Sequence, residues 1–234
     1  MVLYFALNTI VLLVGVVLVL LDEKAVSSSL IAAGIIGYIV FWASYINSRR
    51  SHRDVELLRR LKQFGITDIN ERRLLYGEYA KARKKTRNCF DIMGFGLRNF
   101  MEDMSDQFNE WSKSFTIRIL VINPKSPYCI QRDYEERDSP GKIKNDVIFA
   151  TKTVLDLNNQ RVKIRWYDAI PVTNILRMDG IMWVGPYFMY ERSRNAYILT
   201  LTEKGQLFEQ YREHFKRIWN DPKLSCYPDL SKVE

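Results

Sequence analysis

The chain has 234 residues and a formal net charge of +8, which leaves room for one modest domain beside any membrane segment. Its two histidines and three cysteines lack the spacing of a zinc site, so we predict neither a metal nor a cofactor. Few cysteines, odd in number, are typical of a reducing compartment.

The first 47 residues contain two uncharged apolar runs. Residues 2–21 suffice for a helix of about 30 Å, the thickness of the hydrocarbon core of a bilayer. Residues 30–46 lie at the short end of the spanning range. Because a short segment joins the runs and the first lacks the basic start of a signal peptide, we predict a two-helix transmembrane hairpin over residues 1–47.

Basic residues indicate the orientation of this hairpin. Arg49, Arg50 and Arg53 follow the second run, whereas the connecting segment carries a single lysine. The positive-inside rule then predicts a two-pass protein of the inner (cytoplasmic) membrane with both termini in the cytoplasm. We expect these arginines to contact anionic lipid headgroups. Nucleic acid is not the predicted partner, because no module typical of its recognition accompanies the charge.

A basic juxtamembrane helix is predicted over residues 48–66, followed by a cytoplasmic domain over 67–234. Thr67 or Asp68 can cap a second helix. Further along, the sequence predicts strands in 88–96, 115–124, 162–171 and 195–202, and helices in 97–114, 145–160 and 203–222. A polar loop with Pro127 and Pro140 is expected between the second of these strands and the next helix.

Residues 170–189, IPVTNILRMDGIMWVGPYFM, contain two strand-like runs around an Asp-Gly pair and predict a hairpin. The alternation of strands and helices predicts an α/β mixed sheet with flanking helices.

The order of these motifs resembles the phospholipase D-like superfamily, in particular its single-domain, catalytically degenerate bacterial members. The resemblance rests on IMGFGLRNFMEDM, FTIRILVINPKSPYCIQRD, VKIRWYDAIPVTNILRMDGIMWVGPYFM and LFEQYREHFKRIW, which together cover roughly residues 68–220. It implies a phospholipase D-like mixed sheet, a signature His-x-Lys and Asp on a hairpin beside the site, and pairing of two copies across that site.

The signature is incomplete in this chain. Asp179 matches the aspartate of the family and Gly185 roughly matches the glycine that follows it. Counting back from Asp179 places Asn174 at the lysine and Val172 at the histidine. The family reaction needs an imidazole nucleophile and a lysine that stabilises phosphate charge. We therefore predict a protein that is not an enzyme and has no catalytic residues.

Binding can outlast catalysis in such a domain. Guanidinium groups bind phosphate and amides bind neutral polar groups. The predicted ligand-binding residues are Arg98, Asn123, Arg132, Asn174, Arg177 and Asp179. For Asp179, a plain role as a turn residue fits equally well.

Three functions fit this pattern. The first is a membrane-anchored sensor or effector that binds a phosphorylated small molecule, a nucleotide signal, and changes the assembly of the hairpins as a homodimer or higher oligomer. This architecture is similar to bacterial membrane effectors of antiphage signalling. The second is a membrane-tethered scaffold that binds a protein, and the third is a phosphodiesterase with catalytic residues unlike those of the family.

Overall fold

The computed structural model describes residues 2–21, 24–71 and 76–232. The chain divides into two compact units, Met1–Arg60 and Leu61–Glu234. Asp22 and Glu23 of the predicted connecting segment lie outside the described residues, as does the side chain of Arg50.

The first unit contains helix α1 (Val2–Leu20) and most of helix α2 (Lys24–Phe64). Side chains of the two helices are in contact. The hydroxyl groups of Thr9 and Tyr38 are 2.5 Å apart, and the ring of Phe5 meets that of Tyr38 edge-on at 5.3 Å. Apolar and small polar side chains therefore hold α1 against α2.

By length and hydropathy, one described helical segment, Val26–Phe64, could cross a membrane, whereas Phe5–Leu20 is a shorter apolar helix. The two-pass topology stays a prediction. The predicted juxtamembrane helix is the continuation of α2 and not a separate element. Gly65, with φ of +82°, ends it because this left-handed conformation is accessible to glycine at little cost.

The second unit is built on an eight-stranded sheet. Its strands are β1 (Ile66–Asn70), β2 (Cys89–Gly94), β3 (Thr116–Ile122), β4 (Val162–Tyr167), β5 (Thr173–Met178), β6 (Ile181–Pro186), β7 (Ile198–Thr202) and β8 (Ser225–Cys226). They lie in the order β1-β7-β6-β5-β2-β3-β4-β8. Only the pairs β2–β3 and β3–β4 are parallel. The predicted α/β mixed sheet with flanking helices is confirmed.

Helices cover both faces of this sheet. The described helices are α3 (Tyr76–Lys85), α4 (Arg98–Met104), α5 (Phe108–Trp111), α6 (Pro127–Glu136), α7 (Lys142–Asp156) and α8 (Gln206–Asn220). One face, called here the helix-rich face, carries Phe90 and Ile92 of β2. Phe90 packs on Trp111 of α5, and Trp183, on the same face, packs on Tyr79 of α3. The other face, the α8 face, carries Arg118, whose guanidinium lies 5.2 Å from the ring centroid of Phe215.

The helix predicted to begin at Thr67 or Asp68 is confirmed only in its later part, as α3, and its predicted start is wrong. Residues 66–70 form β1, which pairs antiparallel with β7 at the edge of the sheet. The Thr67 hydroxyl donates to the carbonyl of Thr200 across this pair and does not cap a helix. The open edge of β7 thus overrides the local helix signal.

The polar loop predicted around Pro127 is also wrong, because α6 occupies most of it. Pro127 is the first residue of this helix, a position at which the missing N–H costs nothing. The predicted helix over 97–114 is interrupted by a 3-10 turn at Ser105–Gln107. The short strand β8 was not predicted; it pairs with the end of β4.

Candidate functional site

The predicted hairpin is confirmed as β5 and β6, joined by Asp179 and Gly180. Because β5 runs antiparallel to β2, its first residues lie beside the carboxyl ends of β2, β3 and β4. This edge is called here the carboxyl end of the sheet, and the opposite edge its amino end. Ligands of open α/β sheets bind most often at the carboxyl end.

Asn174 is the most unusual polar residue at this end. It is 1% exposed, and neither its Oδ1 nor its Nδ2 has a hydrogen-bond partner. It pairs with Gly185 of β6, on which a Cβ would lie 3.2 Å from Asn174 Nδ2. A buried amide without partners costs about 1–3 kcal/mol. The amide is therefore held in place by a fold that leaves its hydrogen-bonding capacity unused.

Val172, at the position of the family histidine, lies in the loop before β5 and is 59% exposed. Tyr167, the last residue of β4, is fully buried, and its hydroxyl also lacks a hydrogen-bond partner. Burial, followed by the neighbouring Tyr187 and Cys129, raises the pKa of Tyr167 well above its usual range. Sequence reasoning missed Tyr167, although its place at the end of a parallel strand was a usable signal.

Arg132 and Asn123 also lie near the carboxyl end, and both form hydrogen bonds within the protein, although Arg132 Nε has no partner among the described residues. Arg132 is fully buried and pairs with Glu136 at 2.6 Å and Glu135 at 3.1 Å. It also donates to the carbonyls of Phe188 and Glu191, each at 3.1 Å. Asn123 Oδ1 accepts from the backbone N–H of Lys125 at 3.0 Å. Arg132 thus links α6 to the loop after β6 by hydrogen bonds.

Arg98 begins α4 and lies on the helical layer. Its Nε donates to Asp146 at 2.6 Å, and Lys142 Nζ donates to the same carboxylate at 2.8 Å. The guanidinium stacks over Phe149 at 4.2 Å. Asp146 lies so close to Gly96 that no Cβ fits there. The glycine turn before α4 therefore faces a carboxylate of the protein itself.

Arg177 lies on the other face of the sheet. It is three residues from Asn174, and side chains of a strand alternate between faces. Its Nη2 is 2.8 Å from Asp91, which Arg118 also binds through Nε at 2.7 Å. Arg177 also donates to the Sγ of Cys89 at 2.6 Å. This buried network of Asp91, Arg118 and Arg177 lies at the amino end, beneath α8.

Asp179 also lies at the amino end, about 17 Å along the strand from Asn174. Its φ is +45°, and its carboxylate accepts backbone N–H groups of Arg87 at 2.7 Å, Cys89 at 2.8 Å and Asn88 at 3.1 Å. Burial raises the pKa of Asp179, but these hydrogen bonds together lower it by more, so that the net shift is downward. Asp179 thus caps the start of β2.

The structure does not bring the six predicted residues into one site. Asn123, Arg132 and Asn174 lie toward the carboxyl end, Arg98 on the helical layer, and Arg177 and Asp179 at the amino end. Each of the three predicted arginines is already paired with a carboxylate. Among the described residues, the Nε atoms of Arg132 and Arg177 have no hydrogen-bond partner, and Asn174 has none at either Oδ1 or Nδ2.

The fold and this edge place the chain among mixed α/β domains. No family model and no curated protein sequence matches it. Similar solved structures include TrmBL2, an archaeal chromatin protein with a novel mode of DNA binding, at 10% identity and a TM-score of 0.43 over 82% of this chain and 68% of that chain.

Two further similar structures are of bacterial proteins. Phosphatidylserine synthase of Haemophilus influenzae aligns at 10% identity and a TM-score of 0.44 over 68% of this chain, which spans only 39% of the synthase chain. NucT from Helicobacter pylori aligns at 11% identity and a TM-score of 0.40 over 69% of this chain and 98% of that chain. These similarities concern the fold, and no functional conclusion is based on them.

Proposed function

We propose that this protein is a membrane-anchored sensor whose α/β domain carries a degenerate phospholipase D-like site. In this proposal the site binds a phosphorylated small molecule, a nucleotide signal, without hydrolysing it. Binding then changes how the N-terminal helices of two or more copies assemble in the membrane, as an effector of antiphage defence would require. The observation that carries the proposal is the buried amide of Asn174, with both polar atoms unused, at the carboxyl end of the sheet.

A carboxamide with a free donor and a free acceptor matches the paired donor and acceptor on the edge of a nucleobase. The phosphate charge needs cations that are not already paired. Lys125, Arg137 and Arg194 lie on the segments that follow β3, α6 and β6, and none forms a salt bridge with any residue in the described ranges. The loops at residues 168–172 and 187–197 must move for a base to reach Asn174, because that side chain is 1% exposed.

The absence of hydrolysis is part of the proposal. Valine and asparagine at positions 172 and 174 provide neither a nucleophile nor a general acid. His214 lies on α8, where burial and then the charge of Arg217 lower its pKa. It is therefore a neutral imidazole on the face opposite Asn174. The alternative phosphodiesterase has no described cluster of acid, base and nucleophile in its favour.

The test is nucleotide binding by the full chain in nanodiscs, measured by isothermal calorimetry over a panel of mononucleotides and cyclic oligonucleotides. We expect one class of nucleotide to bind and Asn174→Ala to weaken it by about fivefold or more, since a bidentate amide contact contributes about 1–3 kcal/mol. Without nucleotide, Asn174→Ala should be as stable as wild type or more so, because the unused amide is removed.

The matched control is Gln160→Ala, which removes an exposed carboxamide between α7 and β4, at the amino end. It should leave nucleotide binding unchanged. If no nucleotide binds, or if Asn174→Ala and Gln160→Ala bind equally well, the sensor proposal fails.

A second candidate, the membrane-tethered scaffold, is favoured by a different observation. Large apolar side chains on α6 and on the loops beside β5 and β6 are exposed: Ile130 by 74%, Tyr134 by 66%, Met189 by 56% and Tyr190 by 52%. Contiguous exposed apolar residues are typical of protein interfaces. A second copy of this chain is the partner that the sensor proposal needs. Nucleotide-independent dimerisation, lost in Tyr134→Ser but intact in Asn174→Ala, would favour the scaffold.

A further inference from the structure

A cavity of about 440 Å³ lies on the helix-rich face between α3, α4 and α5. Its wall is mainly apolar and is formed by Tyr79, Phe90, Phe100, Met104, Trp111 and Met178. Cavities of this size with apolar walls are typical of small-molecule sites. The wall has two flexible methionines beside the aromatic rings. Such a wall fits a flexible apolar ligand better than a rigid ring.

Two cations line the same cavity. Arg83 and Lys84 of α3 line it, and neither forms a salt bridge with another residue in the ranges that the structure describes. The Arg83 guanidinium lies 5.4 Å from the ring centroid of Trp111, and its Nε has no hydrogen-bond partner. Glu110 of α5 is hydrogen-bonded to Lys113 at 2.7 Å, and this bond, with a smaller contribution from the charge of Arg83, lowers the pKa of Glu110.

Arg83 and Lys84 thus differ from Arg98, Arg132 and Arg177, each of which forms a salt bridge with a carboxylate. Asp103 also lines the cavity, so that the described residues of its wall carry two positive charges and one negative charge. A ligand that fits this wall has an apolar body and a head with net negative charge, because the excess positive charge would otherwise stay unneutralised beside a low-dielectric wall.

The cavity lies at the amino end of the sheet, where the chain enters the domain from α2. Met178 pairs with Ile181 and Ile181 with Thr202, and the Thr202 N–H donates to the carbonyl of Gly65 at 2.9 Å. Met178 of the cavity wall and Gly65 at the end of α2 thus belong to one row of the sheet. Asn174 lies at the opposite end, so the cavity is separate from the proposed nucleotide site.

We propose that this cavity binds a single acyl chain with an anionic head, such as a fatty acid or a lysophosphatidate. The acyl chain lies against Phe100, Met104 and Met178, and the head is bound by Arg83 and Lys84. The occupant is a lipid-derived amphiphile, because Val26–Phe64 is apolar enough to cross a membrane and its last residues, from Leu61, belong to the unit that carries the cavity. This site does not depend on nucleotide binding at Asn174.

The test uses the full chain in dioleoylphosphatidylcholine nanodiscs with palmitate that carries a photoactivatable diazirine. After illumination, the labelled peptides are mapped by mass spectrometry. Label on the N-terminal helices reports bulk lipid and serves as an internal reference. We expect saturable label on peptides that contain Phe100, Met104 or Trp111, displaced by lysophosphatidate and unlabelled palmitate but not by uncharged monoolein.

Two variants separate the apolar and charged parts of the site. Ala80→Phe, at an exposed residue of the cavity wall, should abolish the cavity label while near-ultraviolet circular dichroism stays that of wild type. Arg83→Gln with Lys84→Gln should weaken lysophosphatidate competition about tenfold, as expected for loss of charge-assisted contacts. The matched control, Lys152→Gln with Lys163→Gln, removes two exposed lysines elsewhere and should change nothing.

Label confined to the N-terminal helices overturns the proposal. Cavity label that monoolein displaces as well as lysophosphatidate does, unchanged by Arg83→Gln with Lys84→Gln, also overturns it, because the head would then be irrelevant. The nucleotide panel can fail while this experiment succeeds, so the two proposals are tested independently.

Discussion

Two aspartates at the amino end of the sheet show how single residues with a functional appearance support the fold. Asp91 is 2% exposed and neutralises both Arg118 and Arg177. Asp179 organises the backbone at the start of β2. Removing one partner of a buried ion pair leaves the other charge uncompensated. Conservative replacement at these positions therefore probes stability and not ligand recognition.

Asp179→Asn should make the free energy of unfolding less dependent on pH in the acidic range. The folded-state pKa of Asp179 lies below its unfolded value, so its carboxylate stabilises the fold above about pH 4 and this contribution is lost as pH falls through the folded pKa. We expect Asp179→Asn to lower the free energy of unfolding by about 1–3 kcal/mol at pH 7. The difference in the free energy of unfolding between the variant and wild type should narrow as the pH falls below about 4, in urea titrations followed by tryptophan fluorescence.

Asp156→Asn is the control, because Asp156 is exposed at the end of α7. Its profile should follow wild type at every pH. Parallel curves for Asp179→Asn and wild type from pH 7 to pH 2 would contradict the capping role of the charged carboxylate.

At the scale of elements, the junction between α2 and the sheet depends on two glycines in close contact. A Cβ on Gly65 would lie 2.6 Å from Gly205 Cα and 2.9 Å from the Thr202 carbonyl oxygen. Gly205 precedes α8 and is crowded in turn by the backbone of Gly65 and Phe64. The end of α2 is therefore fitted against the β7–α8 connection with no room for a side chain.

Gly205→Ala should destabilise the second unit by about 1–3 kcal/mol, because backbone atoms and not a flexible side chain must give way. Gly77→Ala should have the opposite effect and raise the stability of the second unit. A Cβ on Gly77 meets nothing within 4 Å, and alanine favours the helical conformation of α3 by about 0.5–1 kcal/mol. Thermal unfolding of the full chain measures both, and equal shifts of the two variants would contradict the crowding argument.

The sequence predicted most elements whose apolar pattern matches their environment. Strands β2 and β3 are largely buried on both faces and are mainly apolar, β4 begins with alternating buried and more exposed residues, and α8 has a clear apolar stripe. The sequence failed at β1, where pairing with β7 decides the structure, and at α6, where buried Arg132 replaces an apolar anchor. Neither pairing across 130 residues nor a buried ion pair is visible in local patterns.

The candidate site was predictable only in part for the same reason. The hairpin places Asn174 and Asp179 on one strand, but a strand of six residues separates them by most of the sheet. The partners of Arg98 and Arg177, Asp146 and Asp91, lie 48 and 86 positions away in the sequence, and no motif joins them. What the sequence alone could not reveal is which cations are already neutralised.

For the whole molecule, the basic residues behind the net charge of +8 fall into two groups. Arg98, Arg132 and Arg177 are paired with buried or half-buried carboxylates. The cations of α3 at the cavity and those of the loops at the carboxyl end form no salt bridge with a described residue. The two proposals place an anionic amphiphile at one end of the sheet and a phosphorylated ligand at the other. We propose that the two sites act jointly on the helices of the first unit.

That arrangement requires the second unit in the cytoplasm, which the two-pass topology predicts. Cys226 is an exposed free cysteine and serves as a native reporter. In spheroplasts, a membrane-impermeant maleimide should label a cysteine introduced by Ser28→Cys at once, but Cys226 only after permeabilisation. An N-terminal epitope should likewise resist external protease until the membrane is opened. Because a single crossing by α2 would leave that epitope outside, its digestion in intact spheroplasts would contradict the two-pass prediction and leave α1 outside the bilayer.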